Sequence, residues 1–296
     1  MSIEFVRVDT LSTVFDVWKR ILEKHPEVVK QTAKVYANRP HGETADQQVE
    51  VLPRERIVWS DDERSFWGQP NEIKAIGARV ERRPQDYDSR IDYSGAGRWF
   101  NDGDVLDIDK GHERSFVMID FESEPSKELL ELTFKTLKDW RSDWYLLDSG
   151  GSFHLIIDKL VSPEILPKYF GQLIMDLARY LQSTKSMLYG HLGKYLIENC
   201  NDKRKLRLWI EDVLEKFGHK DEPINSGRLV FPIDMKWIAH VIEAIIDNNH
   251  NDGYLRVSSK HGSVPVLIAQ QVEEHITIFQ SSNASFNRNQ PRLLGF

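Results

Sequence analysis

Two consecutive strand-like segments carry polar residues at alternate positions, and this pattern constrains the fold more than any other feature of the chain. The first segment ends in Asp120-Phe121-Glu122 and the second begins with Ser152-Phe153-His154. Because side chains alternate between the two faces of a strand, the acids share one face, as do the hydroxyl and the imidazole. If the strands pair, all four groups meet, and together they suit a divalent cation and a phosphate. The pattern predicts a metal–nucleotide site.

Composition places the chain among soluble globular proteins. Of its 296 residues, 40% are hydrophobic and 29% are charged. The formal net charge of −7 argues against broad, non-specific nucleic-acid binding, which requires a basic surface. The single cysteine, Cys200, excludes an internal disulfide framework and a multi-cysteine zinc site. We find no signal peptide and no apolar run of about 20 residues, so we expect a cytoplasmic protein without membrane contact.

Helical and strand-like periodicities alternate along the chain and predict an α+β fold. The helical stretches are residues 10–25, 27–36, 126–137, 163–181, 183–218 and 235–248. The strand-like runs are residues 116–122, 144–147, 153–157, 229–233, 254–258, 264–269 and 276–279. We divide the chain into an N-terminal helical and small β extension (1–95), a main sheet domain flanked by helices (96–280) and a loose polar tail (281–296).

Each half of the motif also has an ordinary structural interpretation. Exposed strand faces often carry two acids, but like charges about 6 to 7 Å apart need a positive partner, which is either a cation or an Arg or Lys side chain. Ser149-Gly150-Gly151-Ser152 is typical of a hairpin turn. The same two glycines also allow backbone N–H groups to approach a phosphate, which Ser152 and His154 can then bind through hydrogen bonds.

The combination of motifs resembles the archaeo-eukaryotic primase (primase-polymerase) superfamily, in a divergent bacterial branch. That family has an acid-x-acid strand, a Ser-x-His strand after a small-residue turn, and a third acid after a hydrophobic residue. Asp120-Phe121-Glu122 matches the first motif, Ser152-Phe153-His154 the second, and the segment 255–262 looks like the family's Arg-containing strand. Asp234 follows an apolar run and suits the third acid better than Asp247, which lies near a predicted helix end.

The resemblance implies an RRM-like catalytic sheet in residues 96–280 and a two-metal mechanism that joins nucleoside triphosphates on a nucleic-acid template. The residues that it implies as ligands of Mg²⁺ or Mn²⁺ are Asp120, Glu122 and Asp234. The residues that it implies for the triphosphate are Gly151, Ser152, His154, Arg256, Ser258, Lys260 and His261.

The template requires a basic path with stacking groups. The candidates are Lys203, Arg204, Lys205 and Arg207 with Trp209, and a second cluster of Arg79, Arg82 and Arg83. The alternative for each cluster is a solvated helix face or loop.

Two other functions remain open. One is a catalytically silent primase-like subunit that binds nucleic acid or nucleotide in a replication or defence complex. The other is a nuclease, although a nuclease has no triphosphate for the Ser-x-His motif to bind. No helicase P-loop is present, so a helicase or another replication or defence protein is a further expected partner.

Overall fold

A computed structural model describes residues 2–25, 30–36, 47–53, 91–92, 99–100, 115–122, 127–137, 140, 142–149, 152–161, 163–181, 186–217, 232–247 and 265–282. Five of the residues predicted to bind nucleotide lie outside these ranges: Gly151, Arg256, Ser258, Lys260 and His261. The arginine cluster of residues 79–83 and the tail after residue 282 also lie outside them.

Strands and helices alternate through most of the described chain. The strands are β1 (Ser2–Val8), β2 (Lys30–Tyr36), β3 (Gln47–Pro53), β4 (Ile91–Asp92), β5 (Trp99–Phe100), β6 (Ser115–Asp120), β7 (Trp144–Asp148), β8 (Phe153–Val161), β9 (Val266–Val272) and β10 (His275–Ser281). The helices are α1 (Val14–Lys24), α2 (Lys127–Leu137), α3 (Leu166–Tyr180), α4 (Ser186–Asn199), α5 (Lys203–Phe217) and α6 (Met235–Ile246), and a short 3₁₀ turn, Pro163–Ile165, precedes α3.

The main sheet has six strands in the order β1-β10-β9-β7-β8-β6. Its pairs are antiparallel except for β1 and β10, which run parallel, so the sheet is mixed. The predicted α+β class, a sheet flanked by helices, is confirmed. A second, smaller sheet pairs β2 with β3, β4 and β5.

Helices cover both faces of the main sheet. Ile119 of β6 and Phe121, which directly follows this strand, are fully buried in a core that includes residues from α2 through α6. On the opposite face, Phe116 makes an edge-to-face contact with Trp18 of α1, at 5.4 Å between ring centroids. Asp120 is four residues from Phe116 along the strand, so the two side chains lie on the same face of the sheet. Asp120 is therefore on the side that α1 covers.

Helix α1 is fastened across this face at both ends. At its start, the backbone N–H of Val14 donates to Pro265 O at 2.9 Å, next to β9. At its end, the ammonium of Lys24 bonds to Asp143 at 2.7 Å and to the Tyr145 hydroxyl at 3.0 Å, and it lies 3.4 Å from Asp158. These contacts hold α1 against the neighbouring strands β9, β7 and β8.

Helices α3 and α4 pack closely at a pair of glycines. A β-carbon added to Gly171 would lie 2.5 Å from the carbonyl oxygen of Gly193, and one added to Gly193 would lie 2.6 Å from that of Gly171. Contacts this short are not tolerated between a methyl group and a backbone oxygen. The two glycines are therefore what permits this packing.

Two sequence-based assignments change in the structure. The helix predicted over residues 27–36 is wrong, because Lys30–Tyr36 is the strand β2, paired along its whole length with β3. Residues 2–24, assigned from the sequence to the N-terminal extension, contribute β1 and α1 to the main sheet unit instead. In the part of the chain that the structure describes, no helix is both long and apolar enough to cross a membrane.

Candidate functional site

The end of β6 is joined to the start of α6 by backbone contacts. Phe121 forms an isolated bridge with Ile233, and the N–H of Glu122 donates to Pro232 O at 2.8 Å. The N–H of Asp234 donates to the carbonyl oxygen of Asp120 at 2.9 Å. Asp234, which is distant in sequence, is therefore brought to Asp120 and Glu122 at one edge of the sheet.

Asp120 lies opposite His154 in the β6–β8 ladder. The imidazole Nε2 is 3.6 Å from the Asp120 carboxylate oxygen Oδ1, an ion-pair distance if His154 is protonated. Only 2% of His154 is exposed, whereas Asp120 is half-buried. In this arrangement the imidazole lies beneath Asp120, and its contact is with that carboxylate rather than with solvent.

Repulsion between two of the acids is visible in the pKa of Glu122. Burial raises the pKa of this carboxyl above its ordinary 4.5, and the nearby charge of Asp234 raises it further, while Lys236 acts in the opposite direction. Burial, followed by the charge of Glu122, also raises the pKa of Tyr189 on α4 to about 12. A positive charge bound near Glu122 would relieve this repulsion.

The turn between β7 and β8 places the Ser152 hydroxyl at the same edge of the sheet. The N–H of Ser149 donates to Ser152 O at 3.0 Å, and the two hydroxyl oxygens are also 3.0 Å apart. The N–H of Phe121 donates to Phe153 O at 2.9 Å, so the turn continues directly into the strand beside the acids. Ser149 is almost fully buried and closes the turn from inside.

The two candidates for the third acid lie at opposite ends of α6. Asp234 is the N-cap residue, and its Oδ1 accepts a hydrogen bond from Trp237 N at 3.0 Å. Asp247 is the C-cap residue and pairs with Arg207. A helix of 12 residues is about 18 Å long. Asp234 is thus brought to Asp120 and Glu122, and Asp247 is not.

Most of the basic cluster on α5 is engaged within the protein. Lys203 donates to Ile246 O at 3.0 Å, and Lys205 donates to Asn199 Oδ1 at 2.8 Å. Trp209 is 2% exposed, and its indole N–H donates to Leu192 O. The expectation that Trp209 stacks on a template base is therefore wrong, because its ring is part of the core.

The carboxylates match the donor chemistry of Mg²⁺ and Mn²⁺, which prefer oxygen ligands. Among the described residues, however, no group of three or more His, Cys, Asp or Glu side chains could hold a metal ion. The backbone brings the three acids to one edge, but their side chains do not form a ready-made cage. Metal binding at this edge would require carboxylate rotation, which the half-buried and exposed positions of Asp120, Glu122 and Asp234 permit.

Three residues of this site were not singled out from the sequence. Ser149 belongs to the glycine-turn motif, so its position carried a signal. Lys236 follows Asp234 by two residues, so the sequence alone shows that the two charges are close. Tyr189 lies on a helix distant in sequence, and no local pattern relates it to Glu122.

Comparisons of the chain with models of protein families, with curated proteins and with solved structures gave no match.

Proposed function

We propose that this chain is a template-dependent nucleotidyltransferase of the primase-polymerase type, with an RRM-like catalytic sheet. The observation that carries the proposal is the hydrogen bond from Asp234 N to Asp120 O. It brings a third carboxylate, predicted from its place after an apolar run, to the acid-x-acid strand. A hydrophobic sheet with no such site would gain nothing from three acids at one edge, since like charges destabilise it.

The acids have distinct roles in this proposal. Asp120, Glu122 and Asp234 would hold Mg²⁺ or Mn²⁺, which neutralises the triphosphate and lowers the pKa of the attacking 3′-hydroxyl. His154 supports Asp120 from beneath, with its Nε2 at 3.6 Å from the carboxylate. Glu122 and Asp234 repel each other when both are ionised and no cation is bound. A bound cation removes this repulsion, so the repulsion favours cation binding.

The incoming nucleotide would bind beside the acids. Ser152 offers a hydroxyl at the turn, and Gly151 offers backbone N–H close to a phosphate. The basic and hydroxyl groups of residues 256–261 would neutralise the remaining phosphate charge: Arg256, Ser258, Lys260 and His261. This segment joins the described structure at Pro265, where Val266 pairs with Asp148 at the same edge of the sheet.

Incorporation of nucleotides tests the proposal directly. We expect D120N and E122Q to abolish synthesis on primed and unprimed DNA and RNA templates with Mg²⁺ or Mn²⁺, while their circular dichroism spectra match the wild type. D247N is the matched control, because Asp247 lies at the far end of α6. Full activity of both site variants would refute the assignment.

Asp234 needs a variant that separates its charge from its role as a helix cap. Asparagine caps helices about as well as aspartate, whereas alanine in place of a cap costs about 0.5–2 kcal/mol. We expect D234N to keep wild-type stability but lose incorporation, and D234A to lose both. Wild-type incorporation by D234N would leave Asp234 with a structural role only.

A second function is supported by a specific observation, namely that Asp234 Oδ1 already accepts the capping bond from Trp237 N. A cap explains this acid without any metal. The alternative is a catalytically silent primase-like subunit that binds nucleotide or nucleic acid in a cytoplasmic replication or defence complex, with a helicase or similar protein as partner. Mn²⁺-dependent triphosphate binding without incorporation on any template would favour it.

A further inference from the structure

A cleft of about 560 Å³ lies along the outer face of α3, between that helix and the segment that joins α2 to β7. Its size falls within the range of about 300–1,000 Å³ that is usual for ligand pockets. The polar and aromatic residues of α3 that line it recur every three or four positions and so form one stripe of the helix. They are Lys168, Tyr169, Gln172, Asp176, Arg179 and Tyr180.

Two aromatic rings line the cleft, and one of them is held in place by a hydrogen bond. The indole N–H of Trp140 donates to Asp176 Oδ2 at 3.3 Å, and the same oxygen accepts from Gln172 at 2.8 Å. The rings of Trp140 and Tyr169 have centroids 6.0 Å apart and are inclined by 58°. Trp140 is only partly buried and presents part of its ring to the cleft. A planar ligand would find an aromatic surface already ordered.

The charge of the cleft is opposite to that of the chain. Three cations and one carboxylate line it, in a protein of net charge −7. Asp176 is neutralised locally by Arg179, at 2.8 Å. The ammonium of Lys159 lies 5.1 Å from the centroid of the Tyr169 ring, and no carboxylate among the described residues pairs with Lys168. Two ammonium groups therefore remain for an anion beside the aromatic pair.

This cleft is separate from the acidic edge. Lys159 is five residues along β8 from His154, which corresponds to about 17 Å. The Lys159 side chain contacts Tyr169 and so lies on the face of the sheet that carries α3. His154 pairs with Asp120 and lies on the opposite face, which carries α1. A ligand in the cleft would not touch Asp120, Glu122 or Asp234.

We propose that the cleft binds a nucleobase that carries a phosphate, with the base against Trp140 and Tyr169 and the phosphate at Lys159 and Lys168. Aromatic faces bind bases by stacking, and lysine ammonium groups bind phosphate as point charges. The base and phosphate belong either to a free nucleotide or to a single strand of nucleic acid. Binding here is independent of the proposed catalysis.

Calorimetric titration of the full chain with ATP and with a ten-nucleotide single-stranded DNA tests the proposal. EDTA is present throughout, so that metal-dependent binding at the acidic edge does not contribute to the measured heat. We expect Y169A to weaken binding about tenfold or more, since stacking of a base is worth about that much. K168Q, a surface change that leaves the fold intact, should weaken it severalfold. K194Q on the exposed face of α4 is the matched control and should bind as the wild type does.

The outcomes distinguish a free nucleotide from a single strand as the ligand. They also distinguish binding in the cleft from catalysis at the acidic edge. Binding of ATP alone assigns the cleft to free nucleotides, and binding of DNA alone assigns it to a strand. D120N should retain cleft binding even where it has lost incorporation. Absence of binding to both probes at millimolar concentration, or binding that K168Q and Y169A leave unchanged, would overturn the proposal.

Discussion

The close contact between α3 and α4 predicts that Gly171→Ala destabilises the fold. The added methyl carbon would lie 2.5 Å from Gly193 O, 2.9 Å from Leu196 Cβ and 3.0 Å from Ile197 Cγ1. The first of these neighbours is a backbone atom, so it cannot rotate away. The helices must separate by about 0.9 Å before the contact reaches the 3.4 Å of an ordinary one.

Two opposing effects determine the magnitude. Overpacking of this kind costs about 1–3 kcal/mol, occasionally more. Replacing a glycine inside a helix by alanine contributes about 1 kcal/mol in the stabilising direction. At Gly190 on α4 an added methyl group meets nothing within 4 Å, so only the second effect operates there. We therefore expect G171A to be less stable than G190A by about 1–3 kcal/mol.

Urea denaturation followed by circular dichroism measures the difference, with thermal unfolding as a second probe. A change of 1 kcal/mol corresponds to about 2–4 °C in Tm for domains of this order of size. G193A should behave like G171A, because its methyl carbon would lie 2.6 Å from Gly171 O. If G171A proves as stable as G190A, the two helices do not pack as closely as described.

Two further predictions concern charged groups. Because burial and then Asp234 raise the pKa of Glu122 above 4.5, its favourable contribution to stability is complete below pH 4.5 and is lost as the pH rises through the raised value. E122Q should therefore raise Tm relative to the wild type at pH 7 but not at pH 4, and equal shifts at both would contradict the assignment. K24M should lower the free energy of unfolding by about 1–2 kcal/mol, because it removes a partner of the nearly buried Asp158. The control is K19M at an exposed position, which should change stability little. Equal losses in the two variants would refute the role of Lys24.

The acids of the candidate site were predictable because their placement depends on local rules. Alternation along a strand puts Val117, Ile119 and Phe121 on the buried face and Asp120 and Glu122 together at its end. An aspartate that follows an apolar run and precedes a helix is a typical N-cap, which places Asp234 at the start of α6. These preferences act over a few residues and can be read from the sequence.

What could not be predicted depends on contacts between distant parts of the chain. Lys30–Tyr36 is a strand because β3 pairs with its entire length, and this pairing outweighs its local propensity. His154 was expected to face a ligand, but it is buried in the structure, and its Nε2 lies 3.6 Å from the Asp120 carboxylate. Trp209 follows the basic run of residues 203–207 closely in sequence, yet its ring is buried and its indole N–H donates to Leu192 O of α4.

The parallel pairing of β1 with β10 has a consequence for how the protein is made. Residues 2–8 hydrogen-bond to residues 275–281, so the first strand leaves the ribosome long before its partner exists. At about 5–20 residues per second, the wait is roughly ten to fifty seconds. During that time Ile3 and Phe5, half-exposed even in the folded sheet, have no strand to pair with. Contacts of such long range slow folding, so closing this edge should be a late step in the folding of the newly made chain.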